Sequence, residues 1–302
     1  MTEYLIGTGG WAYFPRNPTL KAYSKAFNFV EVNSTFYKIP DARTVERWRR
    51  TAPPDFTFTV RCHQTLTHRI GLIPVDEAYA VFSQMIGLCR MLNAPFLHLE
   101  TPERYAFDDE EVEVVRDFFS TVDFKGIRLA WETRSSLTDK VVNLMHDFNI
   151  VHSTDLSREQ PAYPSDTIYS RLFGKGKHNI YQFTDDELVE LDQETLKADV
   201  KTVITSFHGI RMNSDALRFK MYKTNGSFPA ATGFIGIESA RAVLREDARF
   251  PSSKEELIED QGWKVIDLTP DTRVHLSEWL RRIPEKTYRN LEAVMQALEA
   301  HS

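Results

Sequence analysis

Eight short apolar runs, most of them followed by a stretch of helical periodicity, fill the first two thirds of the chain and limit its fold more than any other feature. The runs are Leu5–Thr8, Phe29–Asn33, Phe56–Cys62, Phe96–Leu99, Ile127–Trp131, Ile150–Asp155, Ile168–Phe173 and Val203–Phe207. Helical spacing is read over Leu20–Phe27, around Val45 and Trp48, and over Pro74–Asn93, Asp108–Val122, Leu137–Phe148, Asp185–Val200 and Asn213–Tyr222. Strands alternating with helices imply a parallel sheet. Eight of them within roughly 220 residues favour closure into a (β/α)8 barrel of the TIM type, which takes about 250 residues. A doubly wound open sheet is the alternative, but no helix opens on a Gly-x-Gly-x-x-Gly or Walker pattern. A nucleotide cofactor therefore has no motif here.

After Asn225-Gly226 the rhythm breaks. Gly233–Glu238 and Trp263–Leu268 read as strands, Glu255–Glu259 as a short helix, and Val274–Arg282 and Thr287–Leu298 as helices. The expected organisation is α/β: a barrel over residues 1–224 and a mostly helical α+β extension or cover over 225–302.

Bulk properties remove several classes of function. The chain has 302 residues, 42% of them hydrophobic, and a formal charge of −6. Such a balance gives no support to bulk attraction for nucleic acid or membranes, so a nucleic-acid partner requires a local basic patch. Two cysteines, Cys62 and Cys89, make neither a disulfide framework nor a cysteine-built zinc site. The start, Met1-Thr2-Glu3-Tyr4-Leu5, has no basic or apolar leader region, and no long apolar run follows, so the expected location is cytoplasmic.

In a parallel barrel, functional groups sit at the carboxyl ends of the strands. Those positions here hold Trp11, Glu31 with Asn33, Arg61 with His63, Glu100, Glu132 with Arg134, Asp155, Arg171 and His208. Val30 and Val32 alternate with Glu31 and Asn33, which puts a carboxylate and an amide on one face of a strand expected to be central. A purely structural barrel has no need of so many ionisable strand ends, and buried charge is costly unless paired. Glu132 and Arg134 share parity, so the pair either hold each other or present an arginine fork to a phosphate or carboxylate. Asp155 is a candidate base or metal ligand, and an aspartate in that place equally caps the segment after it. His68 follows the third strand and His208 the eighth; His63, His98 and His152 read as ordinary structural histidines. A divalent metal is compatible with these carboxylates and His208, although no His-x-x-x-His or Asp-x-Asp spacing occurs. Without Gly-x-Ser-x-Gly, and with Cys62 turned toward the helices, covalent catalysis is disfavoured. Trp11, Tyr13, Phe36 and Tyr37 either stack on a sugar or base or pack the loops onto the rim.

Taken together, Gly7-Thr8-Gly9-Gly10-Trp11-Ala12-Tyr13, Val30-Glu31-Val32-Asn33-Ser34-Thr35-Phe36-Tyr37, Thr67-His68, Trp131-Glu132-Thr133-Arg134, Asp155 and Arg171-Leu172-Phe173-Gly174 stand in an order that resembles the YecE-like family, domain of unknown function 72. The resemblance spans roughly residues 5 to 220 and implies a TIM-type barrel without an assigned activity. It carries over to Glu31, Asn33, Thr35, Tyr37, Glu132, Arg134, Asp155 and Arg171. The chain departs from the family pattern at Phe173, where a histidine is usual, and at His208-Gly209, where paired asparagines are usual. Arg61 replaces a common lysine, and His98-Leu99-Glu100-Thr101-Pro102 replaces a Gln-Leu-Pro-Pro type segment.

The expected function is an enzyme of hydrolase, lyase or isomerase type on a sugar- or phosphate-containing small molecule. Glu31, Glu132 and Asp155 are the catalytic candidates. Trp11, Asn33, Thr35, Tyr37, Arg61, His68, Arg134, Arg171 and His208 are the candidates for binding. The alternatives are a nucleic-acid binding or processing protein and a non-catalytic ligand-binding protein.

Overall fold

The computed structural model describes residues 2–105, 107–197 and 200–301. Eight parallel strands, β1 (Glu3–Thr8), β2 (Phe29–Val32), β3 (Thr57–Arg61), β4 (Phe96–Thr101), β5 (Arg128–Thr133), β6 (Val151–Thr154), β7 (Thr167–Leu172) and β8 (Thr202–Phe207), pair in sequence order. β8 returns to β1 along its whole length, from Glu3 opposite Thr202 to Thr8 opposite Phe207, and closes the barrel. Between the strands lie α1 (Leu20–Ala26), α2 (Ala42–Thr51), α3 (Asp76–Leu92), α4 (Asp109–Thr121), α5 (Asp139–Asp147) and α6 (Asp185–Leu196). The helix expected to reach Val200 crosses residues 198 and 199, which lie outside the described residues.

Local chemistry explains the boundaries. Thr19 and Thr138 accept N-terminal amides of α1 and α5, and Asp108 and Glu111 form a reciprocal capping box on α4. Asn93 ends α3 in the left-handed region, which asparagine tolerates better than most residues. Gly7 is obligatory where β1 meets β2, because a Cβ there would lie 2.1 Å from the Phe29 carbonyl oxygen. The Tyr23 hydroxyl fastens the same corner, accepting the Thr8 amide at 2.8 Å and donating to the Phe29 carbonyl at 3.0 Å.

Outward-facing strand residues such as Val30, Val32, Val60, Leu97 and Trp131 are fully buried under the helix layer. Inside the barrel, Leu5, Phe29, Phe96, Ala130, Val151, Tyr169 and Ile204 make one apolar layer. Two residues further along each strand, at the same parity, stand Gly7, Glu31, His98, Glu132, Ser153, Arg171 and Ser206. The interior thus changes from apolar to largely polar and charged within a single step of the strand period.

By compactness the chain forms two units, residues 1–172 with 195–207 and residues 173–194 with 208–302. This division falls directly after β7 and β8, whereas the sequence rhythm breaks only at 225; α7 (Met212–Asn225) goes with the second unit. That unit also holds α8 (Ile237–Asp247), α9 (Lys254–Gln261), α10 (Leu276–Leu280) and α11 (Leu291–His301). Two antiparallel pairs accompany them: β9 (Ser252–Ser253) with β12 (Thr287–Tyr288), and β10 (Val265–Asp267) with β11 (Arg273–His275). Its core gathers Val243, Leu244, Ile266, Leu280, Tyr288 and Met295. Three expectations for this unit need correction. Gly233–Glu238 is not a strand: Asp267 accepts the Ala231 and Thr232 amides, and Gly236, at φ +60°, turns the chain into α8. The stretch expected as one helix from Val274 begins with β11, and the one from Thr287 begins with β12. No described helix is long and apolar enough to cross a membrane.

Candidate active site at the carboxyl ends of the barrel strands

The ionic layer is organised around Arg171, whose side chain is fully buried on β7. Its Nε donates to Glu31 Oε1 at 3.2 Å, and its Nη1 donates to Glu100 Oε2 at 2.5 Å and to Glu132 Oε2 at 2.6 Å. Two more arginines complete the set. Arg61 Nη2 lies 2.8 Å from Glu100 Oε2, and Arg134 lies 2.7 Å from Glu132 Oε1 and 3.7 Å from Glu100 Oε1. Three guanidinium groups therefore face three carboxylates, which is how buried charges survive removal from water. Arg171 gains most: burial opposes its charge, but Glu31, Glu132 and Glu100 together hold its pKa far above the ordinary arginine value.

The segment after β2 serves this network residue by residue. Glu31 is fully buried, bonded by Arg171 and by the Tyr169 hydroxyl at 2.8 Å. Thr59 shares that tyrosine oxygen at 2.7 Å. Asn33 opens a 3-10 turn, Asn33–Phe36, and its Oδ1 accepts from Arg61 Nη1 at 2.9 Å. Thr35 donates to the backbone carbonyls of Val32 and Arg61, each at 2.6 Å. Phe36 lies under the Arg61 guanidinium, 3.9 Å from its ring centroid, and meets the His68 ring edge-on at 4.8 Å. His68 sits in a π-helical turn, Thr65–Ile70, with Thr67 Oγ1 3.0 Å from its Nδ1. Turns of this kind occur often at functional sites. Burial lowers the His68 pKa; Glu100 raises it, and Arg61, Arg104 and Arg134 lower it further, so the ring is neutral at neutral pH.

Glu100 and Glu132 stand opposite each other on β4 and β5, and their ionisation is driven apart. Burial opposes the charge of Glu100, but Arg171, Arg61 and Arg134 outweigh it and hold the carboxyl at about 2. At Glu132 burial wins over Arg171 and Arg134, with Glu100 adding repulsion, and its carboxyl is pushed above the usual range. Beneath them, His98 places Nε2 3.1 Å from Ser153 Oγ and 3.6 Å from Glu132 Oε2, its ring stacked on Tyr169.

Exposure grades the network. The Glu31 and Arg171 side chains are 0% and 1% exposed, those of Glu132, Arg61 and Glu100 10–12%, and that of Arg134 43%. Solvent thus reaches Arg134 first. Glu31, expected as a catalytic group, has both oxygens engaged below the surface and acts as the anchor of Arg171. Thr35, expected to bind substrate, is fully buried and pins backbone instead.

The other candidates make contacts of their own. Asp155 accepts from the Ser157 amide and hydroxyl at 3.0 and 2.6 Å, the turn-capping use of a strand-end aspartate. Trp11 packs edge-on against Trp48 at 5.2 Å, and Tyr37 is 69% exposed beside Phe36. His208 belongs to the second unit, its ring 5.0 Å from that of Phe173. Among the described residues, no three His, Cys, Asp or Glu side chains form a group suited to a metal ion. In the barrel, the carboxylates instead surround the guanidinium of Arg171. Sequence reasoning names Glu100 only as a strand end, reads His98 as an ordinary structural histidine and passes over Tyr169. Strand parity with Arg171 and Glu100 is the available signal for Tyr169 and His98.

A family model described as "Protein of unknown function DUF72" matches residues 5–224. The chain belongs to the DUF72 family. Among its relatives, the UPF0759 protein YunF of Bacillus subtilis (strain 168) is 34% identical over 102 residues, covering 31% of this chain and 35% of YunF. The UPF0759 protein YecE of Escherichia coli (strain K12) is 34% identical over 64 residues, covering 21% and 24%. The matched segments thus span about a third or less of these relatives' length. Among solved structures, a DUF72 family protein of Thermotoga maritima MSB8 (TM1631) superposes with a TM-score of 0.61 at 23% identity, covering 74% of this chain and 100% of that one. Another from Enterococcus faecalis V583 (EF0366) gives 0.58 at 16% identity, covering 74% and 98%. At such identities the likeness is one of fold, and it extends the DUF72 barrel to this chain.

Proposed function

We propose that this DUF72 protein is an enzyme that carries out proton-transfer chemistry, of isomerase, lyase or hydrolase type, on a small molecule bearing a phosphate or carboxylate group. Arg134 is the outer anchor for the anion, with Arg61 and neutral His68 beside it, and Glu132 is the general acid or base. The carrying observation is the Glu100–Glu132 pair: adjacent carboxyls whose surroundings push their protonation apart, as acid–base sites require. Glu100 stays ionised and holds Arg61 and Arg171 in place; Glu132, raised by burial, holds a proton more readily than an ordinary glutamate and is the member of the pair suited to give and take one. Arginine suits the anchoring role because its planar fork matches an oxyanion with two parallel hydrogen bonds.

The test is a turnover screen against phosphorylated sugars and sugar acids, followed by Glu132→Gln on the best substrate. The expected loss in kcat is about 10²–10⁴-fold with little change in substrate binding. Full kcat in that variant would remove Glu132 from the chemistry.

A further inference from the structure

The structure points to a second property of this mouth, which rests on reading it as an anion site: capture of an oxyanion at Arg134 is coupled to uptake of one proton by the carboxylates beneath it, at Glu132. The six-membered network is balanced, with Arg61, Arg134 and Arg171 against Glu31, Glu100 and Glu132. Arg134 is its most exposed member, and its Nη2 is bonded to Glu132 Oε1 at 2.7 Å. An oxyanion arriving from solvent meets this guanidinium first and competes with Glu132 for its fork. Once Arg134 turns to the ligand, two cations remain below for three buried carboxylates, and the ligand brings further negative charge. An uncompensated buried charge is the costliest arrangement available, and a proton relieves it.

The contacts decide which carboxylate takes the proton. Glu31 keeps Arg171 Nε and the Tyr169 hydroxyl, and Glu100 keeps Arg61 and Arg171. Glu132 keeps Arg171 Nη1, which it shares with Glu100. The groups facing Glu132 are Glu100 and His98 from β4, Arg134 from its own strand and Arg171 from β7, with Tyr169, Glu31 and Arg61 in the next circle. The proton comes from bulk solvent, and a seated anion shifts Glu132 further toward its acid form. Binding thereby arms the acid.

Sulfate is the probe, because its charge is fixed across the neutral range. Isothermal titration of sulfate at one neutral pH, in two buffers of different ionisation enthalpy, reads protons taken up per anion bound. The expected result is uptake of about one proton in the wild type, and sulfate affinity that falls about tenfold per pH unit on the alkaline side. Glu132→Gln keeps its shape and its acceptor oxygen; it is expected to bind sulfate with no proton uptake. Sulfate bound by the wild type without proton uptake would overturn the coupling and leave the anion site standing. Uptake that persists in Glu132→Gln would also overturn it, by moving the proton to His98 or another neighbour. A wild type that binds no sulfate would remove the anion site itself, and the proposed function with it.

Discussion

Two buried arginine–carboxylate networks, one in each unit, use the same chemistry to different ends. In the barrel, Arg61, Arg134 and Arg171 balance three glutamates, and one corner, Arg134, is open to solvent. In the second unit, Arg218 and Arg273 are tied to Asp185, Asp215 and Asp267 with no comparable opening. There the acceptors are spent on backbone: Asp267 takes the Ala231 and Thr232 amides, Asp215 the Phe183 amide, and Arg218 donates to the Phe183 carbonyl. Such a knot fixes loops. The barrel network differs because its ions are held mostly by one another and stop at a solvent-facing fork. A cluster of buried charges is thus a candidate site only where one of its members can change partners.

Three substitutions sharpen that contrast, beginning with the largest effect. Arg171→Met leaves three glutamates around an apolar chain and is expected to cost about 3–5 kcal/mol in chemical denaturation. A loss below about 1 kcal/mol would mean that Arg171 does not hold the layer together. Asp215→Asn acts through pH. Burial raises the Asp215 carboxyl to about 7, against the opposing pull of Arg218 and the Phe183 amide. A folded pKa above the unfolded value contributes stability that is full below the ordinary aspartate range and lost as pH rises through about 7. The second unit is therefore expected to weaken by about 1–3 kcal/mol from mildly acidic to mildly alkaline pH, and the asparagine variant to lack that slope. Stability curves at several pH values check it, and an unchanged slope would contradict the assignment. Arg134→Gln is the smallest in stability, within about 1 kcal/mol because the side chain is partly exposed. Its sulfate affinity is expected to fall about tenfold or more. A large loss of stability with unchanged affinity would make the open corner structural after all.

The barrel is legible in the sequence because the strand signal is strong: eight apolar runs, most of them followed by a helical stretch and most closed by a polar residue. The same two-residue period puts Glu31 on the inner face, where the structure bonds it to Arg171. That pairing joins residues 140 apart in the chain, and nothing in local periodicity announces it. Tyr169 reads as one more core aromatic, and its hydroxyl contact with Glu31 exists only once β7 and β2 share an interior. Thr35 shows the opposite error. A polar residue at a strand end reads as a ligand group, yet its hydroxyl is consumed by two carbonyls of the fold. The segment around Gly236 misleads for a further reason: its apolar residues mimic a strand, while the Asp267 carboxylate, some thirty residues on, holds it as a turn. Local pattern locates elements; partner choice among polar groups is a long-range property.

The acid–base site depends on two neighbouring carboxyls, Glu100 and Glu132, titrating on opposite sides of the ordinary glutamate value. Carbon-13 NMR of side-chain carboxyl-labelled glutamate, assigned with Glu100→Gln and Glu132→Gln, measures this directly. The expected spectra show Glu100 still ionised well below the usual carboxylate range, toward about 2, and Glu132 taking up its proton above that range. Two signals that move together at the ordinary glutamate value would contradict the acid–base site at the barrel mouth.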